Sequence, residues 1–124
     1  MFQVAPEDVL RGLKRFKRLA KQDILASSKT PNPQYWTRHA EARRKVYDLL
    51  METIQREGLE AAYHVARQQL AELARAPKDD ADHAGREQAL TLFFTVLGLS
   101  PEQTAELRQE MVEDAAANSS ALVN

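Results

Sequence analysis

An all-α fold is predicted, a compact bundle of four main helices with a shorter C-terminal helix, and three observations predict it. Every apolar repeat in the chain has the helical period, at spacings of three and four. The strong punctuation is all helix start and stop chemistry: Pro6, Asn32-Pro33, Gly58, Gly98 and Ser100-Pro101. No two segments alternate in the manner of paired strands, so even the apolar run Thr91 to Leu97, which in isolation reads as a buried strand, has nothing to pair with.

The first helix is marked by Val9, Leu13, Phe16, Ala20 and Ile24, which share one face. Pro6 suits its first position, and Glu7 and Asp8 suit the positive end of its dipole. Polar "SSKTPNP" ends it. Asn32 then caps a second helix, from about Gln34 to Glu57, with a seam of Trp36, Ala40, Arg43, Tyr47, Leu50 and Ile54. An arginine on that seam calls for a carboxylate from another helix or a place at the bundle's edge. Gly58 closes the helix, because glycine readily takes the left-handed backbone of that position.

A third helix, about Leu59 to Ala76, shows Leu59, Ala62, Tyr63, Ala66, Leu70 and Leu73 on one side and ends before Pro77. In "PKDDADHAG" one of Asp79, Asp80 or Asp82 caps the fourth. Its second half, "ALTLFFTVLGL", is apolar nearly all round and is expected at the centre of the core, with Phe93, Phe94 and Leu97 buried and Trp36 and Leu50 nearby. Ser100-Pro101-Glu102-Gln103 reads as a capping box opening a fifth helix to about Ala116. The organisation expected is one helical domain over residues 1–117 and a flexible tail over 118–124.

At 124 residues, 44% hydrophobic and 28% charged, the chain belongs with globular single domains. Cysteine is absent, which excludes disulfide staples and thiolate metal sites and allows a reducing cytoplasm. No apolar run approaches the ~20 residues of a membrane span, and the start of the chain lacks the pattern of a secretory signal. A cytoplasmic location without membrane partners is the expectation.

Charge is distributed unevenly. Residues 1–45 carry 11 Lys or Arg and 4 acids, a balance of +7, and residues 46–124 carry 6 and 14, a balance of −8. Such asymmetry marks a basic binding face, or halves that attract each other within a chain or between copies, and the second reading ranks ahead. "RGLKRFKRLAKQ", residues 11–22, holds six basic residues and no acid. On the wheel Arg11, Lys14, Arg15, Arg18 and Lys21 lie opposite the apolar face, with Lys17 at the margin. They form an outward ridge for a protein partner or for phosphates. "YWTRHAEARRKVY", residues 35–47, interleaves three aromatics with His39, with Arg43 of the seam and with a basic cluster of Arg38, Arg44 and Lys45, in a composition that suits single-stranded nucleic acid. Trp36 and Tyr47 on the seam read more simply as core anchors.

Catalytic and cofactor signatures are missing: no Gly-rich phosphate loop, no nucleophile elbow, no cysteine nucleophile. His83, three residues after Asp80 and four before Glu87, has half the spacing of a bundle metal site, and His64 with Glu60 offers one more pair. Both read as helix-start or surface pairs, so no metal, cofactor or enzymatic activity is expected. The function expected is that of a small interaction or regulatory protein that self-associates, with nucleic-acid binding through the basic ridge as the alternative. A homodimer is foreseen through surplus apolar surface on the last helix, Leu107, Met111 and Val112, aligned by the charge split.

Overall fold

The structure, a computed structural model, describes residues 2–76 and 80–123, with the side chains of 115 and 118–123 left aside. Among the described residues every regular element is helical: α1 (Pro6–Ala26), a 3-10 turn (Ser27–Lys29), α2 (Pro33–Glu57), α3 (Leu59–Arg75), α4 (Ala81–Val96) and α5 (Pro101–Val123).

The ends follow the expected chemistry. Pro6 and Pro33 occupy first turns, where a missing N–H costs nothing. The Asn32 side chain accepts from the Tyr35 N–H at 3.4 Å, and Asp80 accepts from the His83 N–H at 2.8 Å. Of the three aspartates expected as a cap, Asp80 is therefore the one that serves; Pro77 and Asp79 lie outside the described residues. Gly58, at φ 100°, donates its N–H to the Ile54 carbonyl and lets α3 begin at the next residue. Ser100 and Gln103 satisfy each other reciprocally, the Ser100 N–H donating to Gln103 Oε1 at 2.8 Å and the Gln103 N–H to Ser100 Oγ at 3.1 Å. The α1–α2 connection is pinned by Ser27, which is buried and lies 2.8 Å from Thr37 Oγ1.

Helix α2 packs against α1, α3 and α4, and α5 packs chiefly against α3. The core draws on every helix: Val9 and Leu13, Tyr47 and Leu50, Ala62 and Leu70, Leu90, Phe93 and Phe94, and Leu107 and Met111. Phe93, Phe94, Leu97 and Leu50 are buried as expected. Helix α4 supplies two of the large buried rings, Phe93 and Phe94, with Phe93 fully enclosed, and α2 supplies the third, Tyr47. Burial of such a side chain contributes about 1.5–3 kcal/mol by transfer from water.

Three expectations need adjustment. Trp36 is 44% exposed, not a core anchor, because it stands in the first turn of α2, beside the rings of Tyr35 and His39. Leu107 and Met111, foreseen as contacts with a second copy, are 6% and 5% exposed within the single chain, since α5 folds back on α3 and covers them. Helix α5 continues to Val123, past the end near Ala116, because nothing in "AAANSSALV" is a helix stop. The tail expected over 118–124 thus falls where only backbone is described, and Asn124 is outside the described residues.

Candidate interaction surface

Helices α1 and α2 run antiparallel, in a register fixed by two ion pairs, Lys17 Nζ with Asp48 Oδ1 at 2.6 Å and Arg43 Nη2 with Asp23 Oδ2. The apolar stripe of α1 is drawn into the core at Val9, Leu13 and Ala20, so the opposite side has to face water. Arg11, Lys14, Arg15, Arg18 and Lys21 are all exposed there. The ridge read from the sequence is present in full.

Between the ridge and α2 lies an open groove of about 470 Å³, lined by Lys14, Lys17, Arg18 and Lys21 on one side and Asp48, Met51, Glu52 and Gln55 on the other. The balance of charge in it depends on pairing. Asp48 is taken by Lys17, and Glu52 by Arg56 at 3.2 Å. Arg11, at the end of the ridge, is taken by Asp8 at 3.0 Å. Lys14, Arg15, Arg18 and Lys21 have no carboxylate within ion-pairing distance among the described residues. The groove therefore presents uncompensated cations over a floor whose acids are already neutralised. Arg44 extends it: it is exposed, stands one turn before Asp48 on the same strip of α2, and in the observed register lies alongside Lys21.

The other two residues of the second basic cluster are elsewhere. Arg38 and Lys45 share a smaller groove with Glu41, Asp80 and Asp82 on the α4 side of α2. The basic residues read from the sequence thus divide into an acid-poor set along α1 with Arg44 and an acid-rich set around Arg38 and Lys45. The aromatic cluster divides likewise. Tyr47 is enclosed in the core, and burial pushes its phenol above the ordinary range, the neighbouring Arg43 opposing. His39 is buried, its Nδ1 without a hydrogen-bond partner among the described residues, and burial lowers its pKa, with Arg43 adding to the effect and Asp23 opposing it. Trp36 is the most open of the set, at 44% exposed, with Tyr35 half-buried beside it.

The remaining polar groups build a network between helices. His83 is buried and its Nε2 donates to the Leu73 carbonyl at 2.9 Å, while Nδ1 lies 3.9 Å from Glu87 Oε2. Asp80 spends its carboxylate on the His83 backbone, not on the ring. Glu87 also meets Arg108 at 3.4 Å, and Arg108 donates to Thr91 Oγ1 at 3.0 Å, so the cluster ties α3, α4 and α5 together. His64 and Glu60 are both exposed. Among the described residues no three His, Cys, Asp or Glu side chains converge in the manner of a metal site, and no helix is long and apolar enough to cross a membrane.

Val112 is the one foreseen dimer contact that remains exposed, at 43%. Missed by the sequence reading was Gly85, where α4 meets the α2 backbone at His39 so closely that a side chain has no room. A glycine in mid-helix, costly on propensity grounds, was its only signal. No family model, curated protein or solved structure matches this chain.

Proposed function

We propose that this is a small cytoplasmic interaction protein, without catalytic activity of its own, that holds an acidic helical segment of a protein partner in the α1–α2 groove. The observation that carries the reading is the row of unpaired cations Lys14, Arg18 and Lys21 beside a floor whose acids are already paired. Those three stand at positions i, i+4 and i+7, which is the spacing of one face of a partner helix. A trough between two antiparallel helices has the shape that accepts a third. Met51 and the aliphatic stems of the lysines supply apolar contact beneath the charge.

Nucleic-acid binding is the competing reading, favoured by the exposed indole of Trp36 near Arg38. It fits less well. The two basic clusters open on different sides of α2, acids accompany the second, and a pI near 6.3 is low for a dedicated binder.

Fluorescence anisotropy of the full chain with labelled polyglutamate and with a labelled single-stranded oligonucleotide separates the two. Polyglutamate should bind at low salt, and Lys14→Glu/Arg18→Glu/Lys21→Glu should abolish that binding while leaving helicity intact. Oligonucleotide binding without polyglutamate binding would hand the groove to nucleic acid. Binding of neither would leave it a solvated helix face and end the proposal.

A further inference from the structure

We infer that the acidic helix held by the groove is α5 of a second copy of this chain. The inference rests on the groove reading above and names its occupant. Its first support is where the charge goes. The two halves of the chain carry +7 and −8, yet among the described residues a single ion pair, Lys17 with Asp48, joins them. The other pairs stay within one half or the other, as Arg43 with Asp23 and Arg67 with Glu110 do. The asymmetry is thus only partly consumed inside the fold, where Asp80 and Asp82 share a groove with Arg38 and Lys45, and both signs remain at the surface elsewhere.

The second support is the face that α5 turns outward. Thr104, Leu107 and Met111 are buried against the chain's own core. The opposite face carries Glu102, Glu106, Gln109 and Glu113, all exposed, at spacings of 4, 3 and 4. Glu102, Glu106 and Glu113 meet no cation among the described residues, whereas Glu110 at the flank is shared with Arg67. The acidic stripe from Glu102 to Glu113 is about 16 Å long by the helical rise and the cation row from Lys14 to Lys21 about 10 Å, so within the longer stripe it is Glu106 and Glu113, seven residues apart, that match the span of Lys14 and Lys21. Within one chain the stripes are kept apart, because α5 packs on α3 and α4 whereas α1 packs on α2 and α4.

Each copy has both stripes, so a two-fold pair forms the contact twice. Charge sets register and approach rate, and apolar area supplies much of the affinity. Met51 in the groove and Leu25, 81% exposed one turn beyond Lys21 on the same side of α1, provide that area. The interface differs from a dimer built on Leu107 and Met111, which are already covered.

The test is the mass of the full chain by light scattering over a dilution series at low salt. Wild type should approach twice 14.0 kDa. Lys14→Glu/Arg18→Glu/Lys21→Glu alone, and Glu102→Lys/Glu106→Lys/Glu113→Lys alone, should each stay at the mass of one chain. Mixing the two variants should restore the double mass, because each then offers the sign the other lacks. Circular dichroism of each variant excludes a folding defect, and the mixture regains mass only if both are folded. A dimer that survives either reversal would place self-association on another face and overturn the inference. Wild type at one-chain mass throughout, with polyglutamate still bound, would also overturn it while leaving the groove reading intact. One-chain mass with no polyglutamate binding would remove both.

Discussion

The guanidinium of Arg43 meets the carboxylate of Asp23 across the α1–α2 interface from a different environment: the arginine side chain is 9% exposed and the aspartate 56%. The arginine therefore depends on the pair more than the aspartate does. Its Nε is buried without a partner among the described residues, so loss of Asp23 would leave a buried charge with little else to satisfy it.

Asp23→Ala should accordingly cost about 1–3 kcal/mol, below the loss for a fully buried pair because water can reach the aspartate side. Arg43→Met removes the buried charge and keeps much of the volume, while Asp23 is left in water. Its cost should be under about 1.5 kcal/mol. Urea unfolding of the two variants and the double mutant decides this. An Asp23→Ala protein as stable as wild type would show that the pair does not hold Arg43 in place.

Gly85 supports a second prediction. A Cβ at this position would run into the backbone oxygen of His39 and lie 3.1 Å from the Ala42 Cβ. Helix backbone cannot yield as a side chain can, so Gly85→Ala must push α4 away from α2 along their main contact. On propensity alone the change would gain up to about 1 kcal/mol. The clash should outweigh that and give a net loss of about 3 kcal/mol or more, at the upper end for overpacking. Thermal melting gives the sign at once: a variant as stable as wild type would mean the α2–α4 approach is looser than described.

Gly85 also shows where the sequence stops being legible. Caps and breaks are local chemistry, and Asn32, Gly58 and the Ser100–Gln103 box act in place as their residue types dictate. Helical period gives a residue's azimuth, which sufficed for the α1 ridge and for an arginine on the α2 seam that needs a carboxylate. Period does not say what covers a given turn. Trp36 has the azimuth of the core but stands beyond its end, and Leu107 and Met111 have an apolar stripe's azimuth but find their cover within the chain. The groove was half visible for the same reason: its cations were plain, and the pairing of Asp48 and Glu52 that leaves those cations free is a tertiary fact.

The last prediction concerns pH. His39 is buried, and burial first, then the positive charge of Arg43, holds its pKa below the ordinary 6.5, with Asp23 partly offsetting them. Protonation would place a charged N–H at Nδ1, which has no acceptor among the described residues. The unfolded chain has no such constraint and takes up the proton near the ordinary value. Between that value and the lower folded one the unfolded state binds more protons, so stability rises with pH through the window and is fully present above 6.5. Each unit by which the folded pKa is lowered corresponds to about 1.4 kcal/mol lost once the pH falls below both values. His39→Gln has no proton to take up, so urea unfolding of both proteins from neutral to mildly acidic pH isolates the contribution of this residue. The advantage of wild type over the variant should shrink as the pH falls through 6.5. An advantage that stays constant or grows on acidification would mean that the His39 imidazole is charged in the folded protein, held by Asp23 in spite of its burial.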